Sequence, residues 1–346
     1  MKQPVLGLVA SAIGIVLALA FISLFDLPTF LGPVAFYMLC VVPFQVMAVV
    51  IWGATPSFVA TLSQPAKGLV LLIVTLVAGA VIAPLVLRVV GEGVSPPGPI
   101  PSHFAVIVVP TTFWLAIMWG GWPFNLFGRD PLFAGPMLLA AAYVITWVIF
   151  RVFFNYDFLQ GAPVYLASAP QGQFNAVSAL VFYVTALAVM FLVLCFDLWP
   201  FTKVPSLMQQ PALGLVWTIV CAVGAWIVMQ VTVSAMSMDP MRVLTSVTAP
   251  FIFGSILVLN MFQNSLYATL AQPVKGVLNA VTAAVLGYAL YVVYCLVAPL
   301  VSGQMASGPP AYDFEVWIAN ALLSVTFPFL IFLAAYFAYW PLAKRT

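Results

Sequence analysis

The pattern Gln-Pro-x-x-Gly occurs four times in this chain, and each copy opens a long apolar run. The copies are Gln3-Pro4-Val5-Leu6-Gly7, Gln64-Pro65-Ala66-Lys67-Gly68, Gln210-Pro211-Ala212-Leu213-Gly214 and Gln272-Pro273-Val274-Lys275-Gly276. The first and third carry Leu before the glycine and the second and fourth carry Lys, so the motifs recur as a pair. Gln3 precedes Gln64 by 61 residues, and Gln210 precedes Gln272 by 62. Proline is well tolerated at the first helical position, where its missing N–H has no acceptor inside the helix, so each Gln-Pro predicts a helix start. The small glycine three residues on lets a neighbouring helix approach closely.

The runs themselves decide the fold class. Of 346 residues 65% are hydrophobic and 5% are charged, against roughly 25% charged in soluble domains, and no soluble fold hides that much apolar surface. Hydrocarbon about 30 Å thick needs roughly 20 helical residues, which is the length of these runs. The alternation of a membrane barrel is absent. The expected fold is therefore all-α: a polytopic membrane helix bundle of ten segments, at about 4–25, 33–53, 65–90, 104–121, 133–153, 174–197, 211–235, 241–263, 273–301 and 314–343. The first segment also has the features of a signal peptide, with Lys2, an apolar run and Ala18-Leu19-Ala20. Its opening, Gln3 to Val9, is repeated almost residue for residue at Gln210 to Val216, which argues for a retained helix.

Charge on the connections gives orientation, because cytoplasmic loops collect Lys and Arg. One side holds Lys2, Lys67, Arg129, Lys203, Lys275, Lys344 and Arg345 with Asp130 and Asp197. The other holds Arg88, Arg151 and Arg242 with Asp26, Glu92, Asp157, Asp239, Asp313 and Glu315. The bias puts both termini and all four motifs in the cytoplasm, in a plasma membrane of bacterial inner-membrane type.

The duplication extends beyond the motifs. Ser57-x-x-Ala60-Thr61-Leu62 matches Ser265-x-x-Ala268-Thr269-Leu270, Pro43-Phe44 answers Pro250-Phe251, and Ala83-Pro84-Leu85-Val86 answers Ala298-Pro299-Leu300-Val301. Residues 1–132 and 206–346 are read as two four-helix repeats flanking an inserted helix pair at 133–205. An offset of six helices makes the repeats parallel. A weaker echo divides the chain into five hairpins starting at Pro4, Pro65, Pro136, Pro211 and Pro273.

Every Asp, Glu, Lys and Arg falls at a segment end or in a connection, whereas proton pumps and intramembrane hydrolases need ionisable groups or metal ligands at depth. Walker, Rossmann and nucleophile-elbow motifs are absent, as is any basic patch for nucleic acid. His103, the only histidine, stands at the outer start of segment 4, and a lone histidine cannot give bis-His haem ligation. Cys40, Cys195, Cys221 and Cys295 read as small core residues. Neither an enzyme nor a cofactor is expected.

What lies at depth is uncharged polarity: Gln45, Thr111, Thr112, Gln230 with Thr232, and Asn320 with Ser324; Asn260, Gln263 and Asn264 cluster at the cytoplasmic end of segment 8. Kinks at Pro43, Pro110, Pro250 and Pro328 would free backbone carbonyls beside them. Such groups bind a polar solute where broken helices line a cavity, or they simply join helices, at about 0.6 kcal/mol per bond. Lys67 and Lys275 at helix N-termini suit either an anion or plain positive-inside anchoring. The connection at 154–173, with Asn155, Tyr156, Asp157 and Gln160, has no counterpart in the repeat.

The sequence thus reads as a multi-pass permease or channel for a small neutral or weakly charged solute, with its path between the two repeats and lined by Gln45, Thr111, Thr112, Gln230 and Asn320. The alternative is an integral membrane subunit or scaffold that anchors catalytic or redox partners. The partners expected are the lipid bilayer, the solute, and further copies of the chain or other membrane subunits.

Overall fold

The structure, a computed structural model, describes residues 1–127 and 131–343. Arg129, Asp130, Lys344 and Arg345 of the charge comparison lie outside the described residues. Among the described residues, ten helices are long and apolar enough to cross a membrane: α1 (Val5–Ile22), α2 (Leu27–Val50), α3 (Ala66–Val90), α4 (Pro99–Met118), α5 (Pro131–Phe153), α6 (Ala176–Cys195), α7 (Ala212–Ala235), α8 (Pro240–Met261), α9 (Val274–Ser302) and α10 (Asp313–Tyr336). The motif prolines stand one place earlier than expected, at the cap, and the helices begin at the next residue. Helix α2 starts six residues before its predicted position because the Asp26 carboxylate accepts a bond from the Thr29 N–H at 2.9 Å and Pro28 occupies the first turn.

The even-numbered helices form a closed inner ring in which α2 touches α4, α4 touches α6, α6 touches α8, α8 touches α10 and α10 returns to α2. The odd-numbered helices lie outside, each in the groove between two inner ones. Thus α1 sits over α8 and α10, α3 over α10 and α2, α5 over α2 and α4, α7 over α4 and α6, and α9 over α6 and α8. Burial follows this division, covering 50–72% of the inner helices and 22–39% of the outer ones.

The repeated motif fastens outer helices to inner ones. A helix leaves its first N–H groups and last carbonyls without partners, and one glutamine serves both kinds of end. Gln3 accepts from the Gly7 N–H at 3.1 Å and donates to the Met261 carbonyl at the end of α8 at 3.1 Å. Gln64 accepts from Gly68 at 3.3 Å and donates to Tyr336 at the end of α10 at 2.6 Å. Gln210 accepts from Gly214 at 3.1 Å and donates to Met118 at the end of α4 at 2.9 Å. At the fourth dock Gln272 accepts from Gly276 at 3.0 Å but donates to the Asp197 carboxylate at 2.9 Å, while Asn279 reaches the Cys195 carbonyl at 3.3 Å.

The motif glycine is required by the closeness of these docks. A Cβ on Gly7 would lie 2.1 Å from the Met261 oxygen, and one on Gly68, Gly214 or Gly276 would lie 2.6, 2.6 or 2.3 Å from the ring of Phe337, Trp119 or Phe196. A fifth dock, α5 on α2, lacks the glutamine. There Gly135 approaches Met47, and the Trp52 indole donates to the Pro131 carbonyl at 2.9 Å.

All five inner helices end on two successive left-handed residues: Gly53-Ala54, Gly120-Gly121, Asp197-Leu198, Gln263-Asn264 and Ala338-Tyr339. This conformation disfavours side chains other than glycine, yet it turns the chain back sharply enough for late N–H groups to reach helical carbonyls, as in Schellman caps. Ala54, Gly121, Asn264 and Tyr339 donate to Ala48, Leu115, Val258 and Leu333 in the same register. Widened π-type turns precede these caps in α4, α8 and α10, and others precede Pro250 and Pro328, where the proline removes a donor.

Gln64→Leu leaves the Tyr336 carbonyl and the Gly68 N–H without this partner and is expected to destabilise the bundle by about 1–3 kcal/mol. Gly68→Leu, which overpacks the same dock, should cost a similar amount. Thermal unfolding in mild detergent checks both, with Gln230→Leu on the exposed outer surface as the neutral control.

Candidate functional site

The inner ring encloses two chambers on its axis, one open to the face that carries the motifs and one to the opposite face. Each takes lining from all five inner helices. The motif-face chamber, about 560 Å³, is walled by Val46 of α2, Phe113 of α4, Phe191 of α6, Leu259 of α8 and Phe327 of α10. Its mouth carries Asp197, Asn260, Gln263 and Asn264. The opposite chamber, about 370 Å³, is walled by Leu39, Val106, Leu180, Leu244 and Leu323, with Ser102, His103 and Asn320 as its polar side chains.

The two chambers are separated by an apolar partition. Leu323 lines one chamber and Phe327, a turn later on α10, lines the other. The Phe113 ring stands 5.7 Å from that of Phe191 and 5.9 Å from that of Phe327, centroid to centroid, so three inner helices close the motif-face chamber with aromatic edges. The α10 backbone at this level is π-helical from Ala321 to Thr326 and is followed by Pro328. Such widened turns are frequent at functional sites.

Polar groups hold the two mouths. Asp197 binds Lys275 at 2.7 Å and also accepts from Gln272 at 2.9 Å and Asn264 at 3.1 Å. Partial burial raises the Asp197 carboxyl, but the bonds from Lys275, Gln272 and Asn264 outweigh it and hold the group below its ordinary value. It is therefore ionised at neutral pH. At the other mouth, two short strands, β1 (Phe154–Asn155) and β2 (Phe174–Asn175), pair in parallel and tie down the intervening connection. Tyr156 of that connection is buried with its hydroxyl 3.0 Å from His103 Nδ1, and Val164 lines the chamber. Asp157 collects Asn155 and Gln160, each at 3.0 Å.

The residues singled out by sequence separate into distinct environments. Asn320 lines the opposite chamber. Gln45 is wholly buried where α2 meets α10, donating to the Pro328 carbonyl at 3.0 Å, while its Oε1 meets no donor among the described residues. Thr111 bonds the Ile107 carbonyl at 2.9 Å, the Tyr183 hydroxyl at 3.0 Å and Thr146 at 2.8 Å, joining α4, α6 and α5. Thr112 turns back on the Val108 carbonyl at 2.8 Å, and Gln230 is exposed on outer helix α7.

In the motif, Gln64, Pro65 and Gly68, like Gln272, Pro273 and Gly276, build docks. Lys275 joins the dock at Asp197, whereas Lys67 is half-buried and has no ion pair among the described residues. Cys40, Cys195 and Cys221 are buried and Cys295 is half-buried, all free thiols. The partition residues Phe113, Phe191 and Phe327 went unmarked by sequence, because nothing in residue type separates them from the rest of 28 phenylalanines. The nearby Pro110 and Pro328 were the available signal.

No protein-family model matches the chain, and neither the curated proteins nor the solved structures yield a match. The arrangement itself is two open cups, each with polar side chains at its mouth, meeting at an apolar, aromatic wall.

In a variant whose four native cysteines are replaced by alanine, Ala334→Cys should react with a membrane-impermeant maleimide from the motif face. Asn320→Cys should react from the opposite face only. Val42→Cys, wholly buried in α2 between the two linings, should not react from either. Labelling of right-side-out and inverted vesicles reads all three.

Proposed function

We propose that the chain is a multi-pass membrane permease or channel for a small neutral or weakly charged solute. One observation carries the reading: two chambers, each lined by all five inner helices, lie end to end on one axis with only an aromatic partition between them. The membrane assignment is supported by outer faces such as Leu69, Ile73, Val77, Val81, Leu85 and Val89 of α3, an exposed apolar row four residues apart. With the positive charge bias, the motif face is cytoplasmic, in a plasma membrane of bacterial inner-membrane type.

The path runs along the axis rather than through a single cleft. It is bounded by α2 and α4 of the first four-helix repeat, α8 and α10 of the second, and α6 of the pair between them. The common docks and caps favour descent from one hairpin, with helices α5 and α6 as a diverged copy of that unit. Transport needs no chemistry on the solute in this reading, and the chain is not an enzyme.

Passage requires the Phe113, Phe191 and Phe327 rings to part. Pro328 and the widened turn Ala321–Thr326 weaken the regular α-helical hydrogen bonding of α10 near Phe327, which suits a segment that moves. Asn320 and the polar groups at the motif-face mouth exchange hydrogen bonds with the solute as it sheds water. An apolar wall discriminates against ions because it offers nothing to replace their hydration. Asp197, already neutralised by Lys275, adds little net field.

Stopped-flow light scattering of proteoliposomes challenged with glycerol, urea or ammonia tests the proposal. Phe113→Ala, which removes the ring shared by both aromatic contacts, should raise flux of at least one probe several-fold over the unaltered protein. Proteoliposomes of both proteins that remain as tight as empty vesicles to all three probes would contradict it.

A further inference from the structure

Outside the axial chambers, a groove opens on the side of the bundle between outer helices α5 and α7, with α4 and α6 as its floor. It consists of two adjoining cavities of about 490 and 410 Å³ that share Ile149, Phe153, Phe182 and Tyr183 in their walls. On α6 it runs from Ser178 to Met190. That is roughly 18 Å at the helical rise, slightly more than the roughly 15 Å of hydrocarbon in one leaflet.

The wall of the groove is almost wholly apolar along its length, and what differs between its ends is the bonding of the few polar groups beside it. In the deep part every polar group is already bonded: the Thr218 hydroxyl accepts from Trp114 at 2.6 Å and donates to the Gly214 carbonyl at 2.6 Å. The Tyr183 hydroxyl is engaged with Thr111 at 3.0 Å. A water molecule there would gain no hydrogen bond, so the deep part favours hydrocarbon. Toward the opposite face, Ser178 and Trp226 border the groove, and neither the Ser178 hydroxyl nor the Trp226 indole N–H has a hydrogen-bond partner among the described residues. Gln230 stands one turn beyond Trp226 on the same side of α7, with its side chain exposed. An apolar body with donors at one end matches a chain carrying a polar terminus.

We propose that this groove binds one acyl chain of a membrane phospholipid, with the ester end toward Ser178, Trp226 and Gln230 and the methyl end toward Met118 and Cys221. The proposal rests on the membrane reading but not on transport. It places lipid against α6, an inner helix that outer helices would otherwise cover.

The test uses the full-length protein in vesicles of phosphatidylethanolamine and phosphatidylglycerol, doped with a phosphatidylcholine that carries a diazirine near the end of one acyl chain. After irradiation, mass spectrometry maps the labelled residues. The expected result is label on α6 between Ala179 and Met190 at several times the level on inner helices α2 and α8. Ala186→Trp, which fills the groove from its floor, and Ala222→Phe, which fills it from α7, should each bring α6 down to that level. The lipid-facing row of α3, around Val77, serves as the reference and stays labelled in all three proteins. Label on α3 with α6 no higher than α2 and α8, or label on α6 unchanged in both filled variants, would overturn the groove site. A chain unlabelled even on α3 would overturn the membrane reading beneath it as well.

Discussion

The arrangement depends on one amide side chain that satisfies two helix ends at once. A helix start and a helix finish each expose backbone groups that lose their water partners when packed against apolar surface, and leaving such a group unpaired costs about 1–3 kcal/mol. The motif glutamine places its carbonyl oxygen on the N–H of the glycine four residues on and its amide nitrogen on the last carbonyls of another helix. Because the second helix is always three places earlier around the ring, satisfying the two ends also sets which helices are neighbours. The glycine then allows an approach that any side chain would block.

Five inner helices in a ring enclose an axis that side chains do not fill along its whole length. Near the middle, where Phe113, Phe191 and Phe327 converge, aromatic rings close the gap; toward each face the ring opens into a cup. The dock between α9 and α6 differs from the other three glutamine docks, since an acceptor carboxylate on Asp197 replaces the helix-end carbonyl and recruits Lys275. That substitution places an ion pair at the motif-face mouth. Charge and ring closure are thus linked at one position, and axial access and assembly share the same residues there.

The ten segments and the importance of the motif were legible in the sequence because they depend on local features: run length, proline and a recurring five-residue spacing. The ring was not. Its closure depends on which helix end each glutamine finds, and the acceptors are backbone carbonyls, of Met118, Tyr336 and Met261, which residue type does not mark. The paired left-handed caps were hidden for the same reason, since Gly53-Ala54, Asp197-Leu198 and Ala338-Tyr339 share geometry and not sequence. Polarity at depth pointed to Asn320 at a chamber wall, but also to Gln45 and Thr111, which bond neighbouring helices, and to Thr112, which bonds a carbonyl of its own helix. Residue type marks a polar group; only packing decides what it faces.

The neighbour rule, in which each outer helix docks on the inner helix three places before it, is the claim on which the chambers and the groove both stand. Paired cysteines test it directly, because a disulfide forms only when Cβ atoms are about 3.5–4.5 Å apart. In a background lacking the native cysteines, Gly68→Cys with Phe337→Cys, Gly214→Cys with Trp119→Cys, and Gly276→Cys with Phe196→Cys should each oxidise within one chain in intact membranes. Gly68→Cys with Phe196→Cys, which joins α3 to the wrong inner helix, should not. Crosslinks in the mismatched pair, or none in the three matched ones while the protein remains folded, would contradict the ring.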